Sequence, residues 1–460
     1  MDRKRFGLHN ARHLKRTAGI VTAIAVFCGI VRMLDYIYLA PQDQEWERIL
    51  WHHFYEDRGR IDNLYIGSSH VYLGILPQML DEINGQYNFN LASTAQPING
   101  TYFLLREAEN NNDLSHVYIE LYYNGMVKNI FDQNSETMDT EIYRNWQNTD
   151  YMEFSLNKLE YMLAIAGPEK YIDICMPFSR YREFLNNWHY IRQTVERKQQ
   201  EEYLSYEYHK EFEDCNGYDD YQKQGYFQST REFLEKERLY PQQRVLNENP
   251  IGEKSEQYLR KILDYCQRKN ILVTLFVVPM DDLQLISTEN YDNYIDQINE
   301  IAGEYKVLFY DFNLAKEEYL PIRQGKYFRD VGHLNYAGAQ MFTPFFYQVV
   351  SGDDNEKYFY DSYSEKLKAT APAVYGLYYR DSENGTEESA SIRTMWIASN
   401  REESMEYRVV LTPNDGEPYV IQDFKNLKEF EVSKEEHGIC TITARMKGAA
   451  EQVQMIEVSY

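Results

Sequence analysis

Cysteine is scarce in this 460-residue chain, with five in all, and no CxxC pair or Cys/His cluster with metal-ligand spacing occurs. That excludes a zinc-ribbon framework, and no metal or cofactor is expected. Cys28, Cys175, Cys215, Cys266 and Cys440 are also too scattered for a disulfide scaffold. Basic residues are in deficit: Lys plus Arg total 48 against 72 for Asp plus Glu, a net charge of −24. A nucleic-acid partner is thereby set aside, since phosphate neutralisation needs a basic face. Repeats and low-complexity linkers do not stand out.

What is present is a globular composition, 43% hydrophobic and 26% charged, with length enough for two or three domains. Tyrosine is abundant at 42. It suits half-wet sites such as carbohydrate-facing clefts, and equally a compositional habit of the source.

Charge is unevenly placed. Residues 1–16 hold six basic side chains against Asp2, and Thr17–Val31 follows without a charge. Arg32 and Asp35 interrupt the apolar run before Tyr36, Ile37, Tyr38 and Leu39 resume it. A helix over 17–39 rises about 35 Å, enough to cross a ~30 Å hydrocarbon core. Arg32 can snorkel, with Asp35 in pairing distance on one face, and the tyrosines fall where an aromatic belt is expected. The positive-inside rule puts the 1–16 tail in the cytoplasm and the body outside the cell membrane. Tyr38-Leu39-Ala40 lacks the small residue of a cleavage site, so the segment reads as an uncleaved single-pass signal anchor. A linker is expected over 40–60.

Nearly continuous apolar runs at 62–66, 87–92, 116–122, 271–278 and 307–312 read as strands buried on both faces. Helical patterns lie between them at 100–109, 255–269 and 291–305. Such alternation predicts an α/β domain over 61–350 built on a parallel sheet with helices on both sides. Residues 125–250, rich in Tyr, Glu, Gln, Lys and Asn, read as a helical insertion that either roofs the site or only decorates the domain. The acidic stretch within 351–370 is expected to be a linker. Seven short alternating segments over 371–460 then predict a β-sandwich that carries no legible chemistry.

The chemistry is split between the two ends of the α/β domain. The first strand runs into Gly67-Ser68-Ser69-His70 and then a helical pattern. A tight strand-to-helix turn exposes a serine hydroxyl at the carboxyl edge of the sheet, where ligands bind in open α/β folds. Far along the chain, Asp330-Val331-Gly332-His333 opens a helix with an apolar stripe. Asp330 can orient the imidazole and free its other nitrogen as a base. Each piece alone has a structural reading, as cap or turn residues.

Together these pieces resemble the SGNH (GDSL-like) hydrolase superfamily over roughly residues 61–350, insertion excluded. Ser69 stands at the nucleophile position, and Asp330 and His333 match the last block. Residues 90–96 take the place of the second block, and Glu120-Leu121-Tyr122-Tyr123-Asn124 that of the third. The resemblance implies a three-layer fold and acyl transfer through a Ser69–His333–Asp330 triad. The oxyanion would lie against N–H groups of Ser69 and of the Ser93–Thr94 region and the Asn124 amide. His70, Gln96 and Glu120 are substrate-lining candidates, with structural roles for His70 and Glu120 as the competing reading, and Ser68 is the nucleophile if the turn is shifted by one. This sequence departs from the pattern in having Ser68 for the usual Asp, no glycine in the second block, and Tyr122 for the glycine of the third. In its anchor and relaxed blocks it is similar to DltD-type and alginate-acetylation-type proteins. That branch implies an O-acyltransferase or esterase acting on cell-surface carbohydrate polymer, with a multispanning membrane O-acyltransferase as a candidate partner. The alternative is an inactive carbohydrate-binding or assembly protein of the envelope.

Overall fold

The structure is a computed structural model. It describes residues 2–39, 45–127, 145–146, 148–165, 170–207, 219–242, 244–322, 325–353, 355–381, 392–401 and 403–460. Cys215 lies outside them. The chain divides into two compact units, residues 1–52 with 145–214, and residues 53–144 with 215–460.

Among the helices, in chain order, are α1 (Asp2–Tyr38), α2 (Ser69–Gly74), α3 (Pro77–Asn84), α4 (Ile98–Asn111), α5 (Leu156–Ala164), α6 (Tyr171–Cys175), α7 (Trp188–Lys198), α8 (Glu253–Lys269), α9 (Tyr291–Tyr305) and α10 (Tyr336–Val350). The strands of the α/β body are β1 (Asn63–Ile66), β2 (Asn88–Asn90), β3 (His116–Glu120), β4 (Leu272–Val277) and β5 (Leu308–Asp311).

These five strands form one sheet in the order β5-β4-β3-β1-β2, every pair parallel. Register places Tyr65 beside Tyr118 and Glu120 beside Phe276. Successive side chains alternate faces, so Tyr65, Tyr118 and Phe276 share one face. There they meet Phe346 of α10. Leu64, Val117 and Leu275 are fully buried on the other, while α4 and α8 pack on each other and on β1 and β4 respectively. Burial on both faces is why β1, β2 and β3 read as apolar runs, whereas the edge strand β5 is half exposed.

The C-terminal strands are β6 (Val374–Asp381), β7 (Ile392–Ser399), β8 (Met405–Pro413), β9 (Tyr419–Lys425), β10 (Glu429–Ser433), β11 (Gly438–Met446) and β12 (Gln452–Ser459). One sheet, β9-β8-β11-β12, is antiparallel throughout. The other runs β10-β7-β6 and is closed by a short strand, Leu239–Pro241, parallel to β6. Leu377, Met395 and Ile397 share a core with Tyr407, Val409, Leu411 and Ile442 of the opposite sheet.

The insertion expected over 125–250 is therefore not one body. The described residues between 145 and 207 are mostly helical and cluster with α1, whereas those between 219 and 245 belong to the second unit and lend a strand to the C-terminal sheet. Neither expected linker is bare. Helix Glu45–Glu56 buries Ile49, Leu50, Trp51 and Phe54. Helix Tyr363–Ala369 sends Lys366 to a buried ion pair, its Nζ 2.6 Å from Asp282 Oδ1.

In the first unit, Arg16–Tyr38 is long and apolar enough to cross a membrane and is uncovered by the rest of the chain over most of its length. The Asp35 carboxylate accepts from Phe178 N–H at 2.9 Å.

Candidate active site

At the carboxyl end of β1 the chain turns sharply through Gly67 into α2. A Cβ at Gly67 would lie 2.6 Å from Glu120 Cβ and 2.7 Å from its Oε2, so only glycine lets β1 run this close to β3. Ser68 caps α2, its buried hydroxyl accepting from His70 N–H at 3.4 Å, and its own N–H donates to Glu120 Oε2 at 3.0 Å. Committed to the cap, Ser68 leaves Ser69 as the half-exposed hydroxyl of the turn.

The second half of the site is a loop strapped down at both ends. Arg329 N–H donates to the His333 carbonyl at 2.8 Å, and Asp281 N–H, just past β4, to the Val331 carbonyl at 3.1 Å. Asn335, not Asp330, is the residue that caps α10, accepting from Gly338 N–H at 3.1 Å. Its amide donates to the carbonyls of Lys326, Phe328 and Arg231. Arg231 in turn donates to the Arg329 carbonyl at 2.7 Å. His333 thus precedes the helix by three residues rather than opening it.

Asp330 is freed from capping to serve the imidazole. Its Oδ1 accepts from Gly332 N–H at 2.8 Å and from His333 N–H at 3.0 Å. The His333 Nδ1 stands 2.8 Å from Oδ1 and 3.1 Å from Oδ2. Burial alone would raise this carboxyl, but His333 and the two backbone donors outweigh it and hold Asp330 well below the usual carboxylate range. A carboxylate only accepts, so Nδ1 carries the proton and Nε2 presents a lone pair. Ser69 Oγ lies 2.7 Å from Nε2. Folding therefore unites Ser69, His333 and Asp330, drawn from positions 264 residues apart.

The surrounding candidates fall differently. Ser93 is buried, its N–H donating to the Gly67 carbonyl at 3.3 Å and its hydroxyl to Gln96 Oε1 at 3.0 Å. That corrects its assignment as an oxyanion donor. The N–H groups of Thr94 and Ala95 meet no acceptor among the described residues. Ala95 holds φ at +43°, the left-handed conformation that favours glycine. The Thr94 hydroxyl meets Tyr72 Oη at 3.2 Å. The Asn124 amide donates to Tyr122 Oη at 3.1 Å, which also accepts from Gln284 Nε2 at 2.7 Å.

His70, Gln96 and Glu120 are all buried, so they back the site and do not line an open surface. His70 lies between the rings of Tyr122 and His333, 4.3 and 4.6 Å away. Burial, with His333 beside it, pushes its pKa well below the ordinary histidine value, so it stays neutral. Burial likewise raises the Glu120 carboxyl to about 7, against the lowering pull of its hydrogen bonds from Ser68.

Sequence reasoning missed Asn335, Arg231 and Gln284. An Asn directly before a strong helix pattern is a cap signal, but nothing local marks the other two. No group of His, Cys, Asp and Glu among the described residues could hold a metal. No family model matches the chain, and no curated protein is found similar to it.

Proposed function

We propose that the chain is a membrane-anchored, extracytoplasmic serine acyl-transfer enzyme of SGNH type, an O-acyltransferase or esterase for a cell-envelope glycopolymer. The three-layer reading of its α/β body and the cytoplasmic placement of the basic tail belong to the same proposal. The observation that carries it is the unbroken chain of contacts from Ser69 Oγ through His333 to Asp330 at the carboxyl edge of a parallel sheet.

In the mechanism, Ser69 Oγ attacks an acyl carbonyl as its proton passes to His333 Nε2. Asp330 holds the tautomer and stabilises the imidazolium. Ser69 N–H, with Thr94 or Ala95 N–H, receives the oxyanion. Collapse breaks the bond to the leaving oxygen, which takes the proton from Nε2, and an acyl-Ser69 ester remains. Water or a sugar hydroxyl then gives its proton to Nε2, attacks the ester and regenerates Ser69.

The test is labelling of the full chain by a fluorophosphonate, together with the acyl content of envelope polymer in cells carrying each variant. Wild type is expected to label at one serine. Ser69→Ala abolishes labelling and lowers acylation, and His333→Ala slows labelling by at least a hundredfold. A protein that does not label, in cells whose polymers keep their acyl groups when Ser69 is replaced, overturns the proposal in favour of a binding role.

A further inference from the structure

Among the described residues, the first unit carries an exposed apolar surface. In α5, Asn157, Tyr161 and Met162 are buried, while Leu156 is 79% exposed and Leu159 and Leu163 are exposed beside it. Spacing of three and four residues puts these leucines in one stripe. Phe154, just before the Ser155 cap, and Ile172 of α6 are exposed too, and Trp188 at the start of α7 is 80% exposed. The helix α5 packs on α6, and α6 on the 3-10 segment Pro177–Phe184.

These elements are fastened to the end of α1. Phe178 N–H donates to Asp35, Tyr38 Oη donates to the Leu185 carbonyl at 3.3 Å, and Tyr190 Oη to the Tyr38 carbonyl at 2.8 Å. Lys198 Nζ donates to the Tyr36 carbonyl at 2.8 Å. With Arg16 set at one hydrocarbon boundary, ~1.5 Å per residue puts Asp35 about 28 Å and Tyr38 about 33 Å along the axis. A hydrocarbon core of ~30 Å therefore ends among the residues that anchor the 177–190 segment. Leu185 and Trp188 follow these anchoring contacts in the chain, at the depth where an indole is at home. Along α1 itself, Arg16 to Ile30 are exposed, and cover by the 177–198 segment begins at Val31, with Met33 and Tyr36 still exposed.

We propose that residues 153–165 and 170–188 form a membrane-seated platform. On this view the α5 leucine stripe with Phe154, and Ile172 with Trp188, insert into the interfacial layer of the leaflet next to the body. The occupant of the surface is lipid, held in the manner of a monotopic helix. The inference rests on α1 crossing the bilayer and is independent of the Ser69 chemistry.

The experiment uses the full chain in nanodiscs of phosphatidylcholine and phosphatidylglycerol, with and without lipids brominated near the glycerol end of the acyl chain. The fluorescence of Trp188 is obtained as wild type minus Trp188→Phe, and Leu156→Trp and Phe27→Trp are read in the Trp188→Phe background. Brominated lipid is expected to quench Trp188 and Leu156→Trp at least twofold, with little quenching by aqueous iodide. Deep-brominated lipid quenches Phe27→Trp. If Phe27→Trp alone responds to lipid, while Trp188 and Leu156→Trp answer only to iodide, α1 spans but the platform is refuted and the face is left to water or a protein partner. If Phe27→Trp also escapes lipid, the span and the platform fail together.

Discussion

Replacing Glu120 by Gln isolates one charge at the back of the nucleophile turn. The amide oxygen can still accept from Ser68 N–H, so the turn keeps its strut. What disappears is an ionisation that burial opposes. With a carboxyl at about 7 in the folded protein and near 4.5 in the unfolded chain, folding carries no ionisation cost below pH 4.5. The cost grows as pH rises, because the unfolded chain sheds its proton first, and it levels off above pH 7. By linkage this amounts to about 1 kcal/mol at pH 5.5 and about 3 kcal/mol at pH 8.5. Glu120 Oε1 is buried with no partner among the described residues, so the new amide nitrogen also lacks an acceptor. That fixed penalty of about 1–3 kcal/mol is independent of pH. The difference in stability between Gln and Glu should therefore move in favour of Gln by about 2 kcal/mol from pH 5.5 to 8.5. Cys266, buried on α8 in the same unit, supplies a local probe. Its thiol is labelled in a brief pulse at constant pH after urea equilibration, with the other cysteines replaced by Ser. At a slope of about 3 kcal/mol per molar urea, the gap between midpoints should change by about 0.7 M. Midpoints that shift in parallel would refute the buried-acid reasoning.

Two further outcomes follow from the packing. Lys366→Met, leaving the buried Asp282 without its ammonium, should cost about 3–5 kcal/mol by the same urea assay, and adding Asp282→Leu should restore most of that. If the double variant is no better than the single one, the pair is not the source of the loss. Asn335→Ala removes the α10 cap and three bonds to loop carbonyls. It should lower fluorophosphonate labelling at least tenfold while the chain stays folded, and Asn335→Asp, which keeps only the cap, should not restore it. Wild-type labelling of Asn335→Ala would show that the His333 loop holds itself.

The parallel sheet was legible because strands buried on both faces leave unbroken apolar runs, and α8 and α9 because their apolar residues keep a helical period. The seven C-terminal strands showed through their alternation. The eighth did not: Leu239–Pro241 pairs with residues 377–379 well over a hundred positions later, and no local pattern announces a non-local partner. The helix start at 336 was misplaced for a similar reason. Asp330 and Asn335 are equally good caps in isolation. The choice is made by carbonyls at 231, 326 and 328 that only the folded chain brings to Asn335.

Two of the positions at which this chain differs from the pattern it resembles, Ser68 and Tyr122, are linked through His70 in the folded chain. Where that pattern has an acid on the turn, this chain has Ser68, and the acid stands behind it as Glu120, 3.0 Å from the Ser68 nitrogen. An Asp at 68 would bring a second carboxyl against one whose ionisation burial already opposes. Where the pattern has a small residue in the third block, Tyr122 fills the space, gathering the Asn124 and Gln284 amides on its hydroxyl and laying its ring against His70. His70 in turn backs the ring of His333. A charged imidazole at that distance would oppose proton uptake by His333, and burial removes the charge. Ser68, Glu120, Tyr122 and His70 thus form one connected set of contacts behind the Ser69 turn and the His333 ring.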